Sequence, residues 1–321
     1  MRGFNDRITA YGFVLTVFVI WLHAGESLIS IIPGQIAVPG FFMMSGYLFF
    51  RGFNGESSYN NVFKRKLLSR VKSLLVPYLL WNFIYFLVYF AFGKAELTDL
   101  PEAVFLYGCN PVFWYLYQLL LITVLTPLIF VCMRKRAGAF CWLTAVFIAA
   151  VFYSVLPFHY CNEDALFYYS LGGFCSLSNT DISRVPIKRA GIWALVFALT
   201  WALQYVLPVS LMNLSAIGWR ASGAALLWII LNFICDHMKE ARPPGFMRIS
   251  FFVYAAHYLI IRAVWALGLR DSVIVYLLMP VICIGASYGI FLLMEKLSPK
   301  VLSVLTGGRQ TKNERNLSAC G

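Results

Sequence analysis

The stretch ITAYGFVLTVFVIWLHAGESLI, residues 8 to 29, decides the fold class of this chain. It is nearly free of charge and long enough to cross a hydrocarbon core of ~30 Å, which takes about 20 residues as a helix. Its apolar residues follow one another without the alternation of a membrane β-strand, so it indicates a transmembrane helix and disfavours a β-barrel. No A-x-A-like cleavage site follows it, which favours an uncleaved span over a signal peptide.

The rest of the chain has the same character. Of its 321 residues, 60% are hydrophobic and only 12% are charged, and the mean hydropathy is +0.74. Soluble domains carry about twice that charged share. We therefore predict an all-α fold, a polytopic integral membrane helix bundle of about ten transmembrane helices. The predicted spans are 8–30, 34–51, 73–92, 112–132, 138–157, 165–178, 190–208, 217–235, 249–267 and 273–294.

The distribution of Lys and Arg predicts the orientation of the helices. With the N-terminus in the cytoplasm, only Lys94, Arg220, Arg262 and Arg270 of the 26 basic residues lie outside. This is the pattern of the positive-inside rule, and ten spans return the C-terminus to the cytoplasm. We expect one membrane domain over 1–298 and a flexible cytoplasmic tail over 299–321. The net charge of +12 is thus explained by topology and requires no nucleic-acid partner.

His23 is an ionisable residue inside the first apolar run. It lies 15 residues after Ile8, or ~22 Å along a helix, and therefore in the outer half of the bilayer. Glu26 follows three residues later on the same helix face and is placed to orient the imidazole. Ionisable residues within a membrane are candidate functional residues. The alternative is a histidine bonded to a carbonyl within the bundle, with Glu26 reaching the outer headgroups.

The predicted ninth span carries a second intramembrane histidine, His257, with Tyr254 on the same helix face. Arg262 follows in that span and is better placed to pair with Tyr258, four residues before it. An arginine at this depth needs a partner or a water-filled cavity. Two interpretations stay open for His257 and Arg262: a functional role, or a structural one in tying helices together.

Several blocks of the sequence resemble, in order, those of the acyltransferase-3 family of bacterial membrane proteins. The blocks are FFMMSGYLFF (41–50), FKRKLLSRVKSLLVPYLLWNFIYF (63–86), PVFWYLYQLLLITVLTPLIF (111–130), YYSLGGF (168–174) and SFFVYAAHYLII (250–261). Together with the first span they cover most of the chain. Each block is a weak signal by itself, whereas the ordered set after a His-bearing first helix is fairly specific.

The resemblance implies a ten-span enzyme of the bacterial cytoplasmic (inner) membrane. Such an enzyme takes an acyl group, usually acetyl, from cytoplasmic acyl-CoA and transfers it to a hydroxyl of an extracytoplasmic glycan or glycolipid. The family's catalytic histidine matches His23, whose expected role is general base, supported by Glu26. The implied partners are the lipid bilayer and a cell-envelope acceptor, and acyl-CoA is the expected co-substrate.

The sequence departs from the family pattern at two places. The family commonly has an arginine eleven residues before the histidine, where this chain has Gly12; Arg7 is turned roughly 160° away from His23 on an ideal helix. The frequent W-F-x-R-D-L reads WYLYQLL here, with Tyr117 and Gln118 replacing Arg and Asp. Both changes remove charges expected to hold the donor or to organise the pore. Arg262 is a candidate to compensate for them.

A basic cluster precedes the predicted third span. It contains Arg65 and Arg70, together with Lys64, Lys66 and Lys72. Arg and Lys are the usual partners of phosphate oxygens, so Arg65 and Arg70 are candidates to bind acyl-CoA, with His257, Tyr254 and Arg262 as further substrate-binding candidates. The alternative for the basic cluster is ordinary positive-inside charge facing anionic lipid.

Other site types lack sequence support. The chain contains no metal-ligand spacing and no Walker A or G-x-S-x-G motif, so no metal cofactor is expected. Cys109 and Cys161 fall in predicted outer loops and are candidates to form a disulfide. The competing function is a transporter or flippase for a polysaccharide or lipid-linked sugar, with His23, Glu26 and Arg262 lining its path.

Overall fold

The computed structural model describes residues 3–25, 28–53, 59–152, 163–182, 185–208, 211–238 and 243–308. Within these ranges all regular structure is helical, which confirms the all-α prediction. The α-helices are α1 (Phe4–Ala24), α2 (Leu28–Phe50), α3 (Tyr59–Arg70), α4 (Val76–Ala91), α5 (Leu100–Phe105), α6 (Trp114–Met133), α7 (Arg136–Val151), α8 (Glu163–Leu177), α9 (Ala190–Leu203), α10 (Met212–His237), α11 (Gly245–Arg248), α12 (Ser250–Ala266), α13 (Val273–Leu297) and α14 (Pro299–Leu305).

Six helices in the described part of the chain are long and apolar enough to cross a membrane. They are Phe4–Ala24, Ile31–Phe50, Asn61–Ala91, Pro111–Met133, Met212–His237 and Val273–Leu297. Helices α7 and α12 are apolar but shorter. Each of the ten predicted segments contains a helix, and the structure is that of a multi-pass membrane protein.

The third candidate span is a composite helix. Helix α3 runs into a π-helical turn, Val71–Leu75, which runs into α4. The backbone N–H of Val76 donates to the carbonyl of Val71, five residues earlier, as the π geometry requires. The basic cluster therefore lies on a continuous helical extension of α4.

The chain divides into two compact units. The first unit takes its residues from 1–19, 27–62 and 124–247, and the second from 20–26, 63–123 and 248–321. His23 and His257 both belong to the second unit, whereas Gly12 belongs to the first.

In the first unit, α2 and α8 approach each other closely through glycines. A Cβ at Gly46 would collide with the backbone carbonyl of Tyr169, and a Cβ at Gly172 would collide with that of Met43. Small residues allow this kind of backbone contact between membrane helices. The glycines of the SGY and LGG sequences are thus explained by packing.

Arg7 ties α1 to α10 within the same unit. The residue is 7% exposed, and its side chain donates to the Asp236 carboxylate at 2.5 Å and to Oδ1 of Asn232 at 3.0 Å. A buried arginine needs such partners. This ion pair gives Arg7 a structural role and agrees with the prediction that it does not substitute for an arginine at Gly12.

In the second unit, α4 is held by side-chain hydrogen bonds to backbone carbonyls. The hydroxyl of Tyr85 donates to Ala255 on α12 at 3.0 Å, and the indole of Trp81 donates to Leu305 on α14 at 3.2 Å. Helix α14 differs from the flexible tail expected from residue 299, because Leu302 and Leu305 are buried. Residues 309–321 lie outside the described ranges.

Candidate active site

His23 lies in the last turn of α1 and is half-buried. Its ring centroid is 5.6 Å from that of His257 on α12, and 6.0 Å from that of Tyr258, which it meets edge-on at 78°. The indole of Trp21 donates to the carbonyl of Leu277 at 3.3 Å, which fixes the end of α1 against α13. The structure thus brings together two histidines that are far apart in the chain.

His257 is fully buried, and a single hydrogen bond determines its tautomer. Its Nδ1 lies 2.5 Å from the carbonyl oxygen of Tyr254. A carbonyl only accepts, so Nδ1 carries the hydrogen and Nε2 of the neutral ring keeps its lone pair. This Nε2 is buried and has no hydrogen-bond partner among the described residues. His257 therefore offers an unused proton acceptor next to His23.

Tyr254 supports His257 from one turn earlier on α12. Its hydroxyl donates to the carbonyl of Val112 at 2.5 Å, and its ring stacks on Phe113 with centroids 5.8 Å apart. With its hydroxyl engaged in this way, Tyr254 meets the ring of His257 through its backbone carbonyl.

The remaining predicted site residues are dispersed. Glu26 lies outside the described residues. Arg262 is exposed on α12, with its guanidinium carbon 5.9 Å from the ring centroid of Trp265. Arg65 is exposed on α3, and Arg70 is half-buried at its end. Tyr85 makes the contact between α4 and α12. Arg70 precedes Tyr85 by 15 residues, or ~22 Å of helix, so Arg65 and Arg70 lie far along the helix from this contact.

The positions that depart from the family pattern have distinct surroundings. A Cβ at Gly12 would meet no atom within 4 Å, so the place of the usual arginine is open space. Tyr117 packs against Tyr107 and Tyr78, with ring centroids 5.4 and 6.5 Å apart, and Gln118 is buried. An aromatic cluster in the second unit thus occupies the position of the usual charged pair.

Two asparagines add polar groups to the interior of the second unit. Asn82 and Asn110 are both fully buried. Asn82 donates to the carbonyl of Val104 at 3.2 Å but leaves its Oδ1 unbonded, and neither amide atom of Asn110 has a partner among the described residues. Such atoms are costly unless water or a ligand reaches them. In the sequence these residues are only polar groups without a diagnostic spacing. Their burial, which marks them as candidates, is visible only in the structure.

The first unit has cavities of its own. One, of about 230 Å³, is largely apolar and is lined by Tyr11, Met43, Trp193 and Trp228 among others. A second, of about 420 Å³, is lined by Arg51 and Asp181 and shares Tyr47 and Thr180 with the first. Neither is lined by a histidine. Among the described residues, no group of three His, Cys, Asp or Glu is arranged to hold a metal ion.

Comparison with known proteins identifies the family of this chain. The family described as an acyltransferase domain matches residues 9–295, so the chain belongs to the acyltransferase-3 family and is an acyltransferase. The chain is 26% identical over 324 residues to the succinoglycan biosynthesis protein ExoH of Rhizobium meliloti (strain 1021), covering 90% of this chain and 82% of that protein. No solved structure gives a significant match.

Proposed function

We propose that this protein transfers an acyl group, acetyl in the simplest case, from cytoplasmic acyl-CoA to a hydroxyl of an extracytoplasmic glycan or glycolipid. The observation that carries the proposal is the contact between His23 on α1 and the buried His257 on α12. The name of the relative, a succinoglycan biosynthesis protein, supports a polysaccharide acceptor.

In the proposed reaction His23 is the general base. The acceptor hydroxyl gives its proton to the imidazole while its oxygen attacks the thioester carbonyl carbon. The carbon–sulfur bond then breaks, and the protonated imidazole returns the proton to the thiolate, so that the products are the ester and free CoA. Imidazole suits both steps because its ordinary pKa lies near neutrality. Glu26 is proposed to orient His23.

Burial of His257 supports this role for His23. Because Nδ1 of His257 is committed to the Tyr254 carbonyl, only Nε2 is available to a proton or to a water molecule beside His23. Because the His257 ring is neutral and fixed, the imidazolium that forms at His23 in the proposed reaction does not face a second positive charge. Arg65 and Arg70, at the other end of the composite helix, are proposed to bind the phosphates of CoA.

The proposed topology places ten spans in the bacterial cytoplasmic membrane, with both termini in the cytoplasm. Its support is the Lys and Arg distribution, which leaves four of the 26 basic residues outside. With this orientation the end of α1 that carries His23 faces the envelope, and α3 with its basic cluster faces the cytoplasm, where acyl-CoA is found.

The experiment measures transfer from labelled acetyl-CoA to envelope glycan in membranes that contain the parent or His23→Ala. We expect the substitution to lower transfer by about 10²–10⁴-fold, the usual contribution of a general base. The matched control is His237→Ala. His237 is exposed at the end of α10, and its ring hydrogen-bonds the carbonyl of Phe233. Unchanged transfer by His23→Ala would contradict the assignment. Movement of the glycan across vesicles without acyl-CoA would instead support a transporter.

A further inference from the structure

One face of α12 leads away from the candidate active site. Tyr258, Arg262 and Trp265 are spaced four and three residues apart and therefore share a helix face. Tyr258 begins this face in contact with His23, and Trp265 lies ~10 Å further along the axis. Arg270 lies beyond the end of α12, and its side chain also reaches Trp265, with the guanidinium carbon 4.9 Å from the ring centroid. We call these four residues the arginine–tryptophan cluster.

The two arginines of this cluster have no acidic partner among the described residues. Arg262 and Arg270 are both exposed, and neither forms an ion pair with another described residue, although Asp271 follows Arg270 directly in the sequence. Two other arginines of the described chain do form ion pairs, Arg7 with Asp236 and Arg220 with Asp164. Two guanidinium groups on one tryptophan thus create a concentrated positive charge in the second unit.

Trp265 adds a hydrogen-bond donor to this charge. Its ring lies near both guanidinium groups, an arrangement that favours cations over an aromatic face. Its Nε1 is shielded from solvent and donates to no acceptor within the described chain. The cluster therefore offers two exposed guanidinium groups to an incoming anion, beside an indole N–H that no described acceptor uses.

We propose that the arginine–tryptophan cluster binds a carboxylate of a substrate. Guanidinium groups bind planar carboxylates through paired hydrogen bonds. This inference rests on the proposed function. The cluster extends ~10 Å from His23, and two kinds of substrate would carry a carboxylate at that distance. One is an acidic sugar of the acceptor glycan, and the other is the free end of a dicarboxylic acyl group. Either source makes the cluster a specificity determinant for acidic substrates.

The test is a binding measurement, which does not depend on catalysis. His23→Ala protein is placed in nanodiscs of zwitterionic lipid and titrated calorimetrically with two pairs of probes. The first pair is a glucuronate-containing tetrasaccharide and its carboxyl-reduced counterpart, and the second is succinyl-CoA and acetyl-CoA. We expect the carboxylate-bearing member of one pair to bind about tenfold tighter or more, as hydrogen bonds to charged groups allow. The pair that shows the preference identifies the source.

The arginines are then replaced in the same protein. Arg262→Gln with Arg270→Gln is expected to remove the preference and to leave binding of the probe that lacks the carboxylate unchanged, whereas Arg262→Lys with Arg270→Lys keeps part of the preference. The matched control is Lys94→Gln, because Lys94 is exposed and lies in the second unit outside the cluster. Equal binding of both members of each pair by the parent protein would overturn the inference, as would equal weakening of both by the Gln variant.

Nanodiscs with phosphatidylglycerol separate lipid binding from substrate binding. If the arginine variants change only the retention of this anionic lipid and leave probe binding intact, the cluster anchors the protein to headgroups and the inference is wrong. Failure of the proposed function has a different signature: no acyl transfer by the parent protein, with the carboxylate preference intact. The two results are therefore distinguishable.

Discussion

His257 is held by one backbone carbonyl, and this leaves a single nitrogen for chemistry. We predict that His257→Phe lowers acyl transfer by about 10²-fold, because phenylalanine keeps the buried ring but removes the Nε2 lone pair. Transfer rates and thermal unfolding are measured together for this variant and for the control His237→Phe. A His257→Phe protein that folds and transfers at the parent rate would contradict the role given to Nε2.

Cys109 allows a prediction about pH outside the spans. Burial and then the carboxylates of Asp99 and Glu102 raise the pKa of its thiol above the ordinary value. The thiolate is the reactive form, so alkylation is expected to be slow at pH 7.5 and to accelerate as the pH rises past ~8.5. Peptide mass spectrometry of maleimide labelling measures this rate, and Asp99→Asn is expected to increase it at pH 7.5.

The prediction is contradicted if Cys109 is alkylated at pH 7.5 as fast as free cysteine and Asp99→Asn does not change that rate. The predicted disulfide of Cys109 with Cys161 remains a prediction, since Cys161 lies outside the described residues.

At the residue scale, the sequence predicts a residue's type and position better than its contacts. His23 is noticeable in an apolar run, because an ionisable side chain there is costly. Its contact with His257 is not predictable from local pattern, since the two residues are separated by most of the chain. The same applies to Trp265 and Arg270, whose meeting depends on how the chain turns after α12.

At the scale of elements, the glycines of α2 and α8 have a different role from the glycine of α1. We predict that Gly46→Ala or Gly172→Ala destabilises the protein by about 1–3 kcal/mol or more, because the new methyl group would collide with a backbone carbonyl of the facing helix. Gly12→Ala is the control: its Cβ meets nothing within 4 Å, and alanine favours the helix by about 0.5–1 kcal/mol. Thermal unfolding of the purified variants is the measurement.

Equal unfolding temperatures for the three variants would contradict the close packing of α2 against α8.

Hydropathy predicts long apolar helices and misses polar ones. All ten predicted segments contain helices, although the first helix ends at Ala24 and its predicted span continued to residue 30. Helix α3 escaped prediction because YNNVFKRKLLSR is too polar for a hydropathy criterion, and α14 because it is a single short amphipathic piece. Helix α14 packs with Leu302 and Leu305 buried, and a single-sequence pattern does not reveal this packing.

At the scale of the whole molecule, orientation is the prediction to test. Fusions of a reporter that is active only in the cytoplasm are expected to be active at the C-terminus and inactive after Lys94, between α4 and α5. The physical reason is the excess of Lys and Arg on one side of the predicted spans. Activity after Lys94 together with inactivity at the C-terminus would invert the topology and move His23 to the cytoplasmic side.

The π turn at Val71–Leu75 has a consequence for the direction in which the basic surface faces. A π turn holds one residue more than the α turn it replaces, so the segment corresponds to an α-helix that has gained a single residue. Deleting one residue there restores a regular helix and rotates everything before it, including Lys64 and Arg65, by about 100° around the axis. A one-codon insertion is therefore sufficient to re-aim the basic surface while α4 keeps its place against α12.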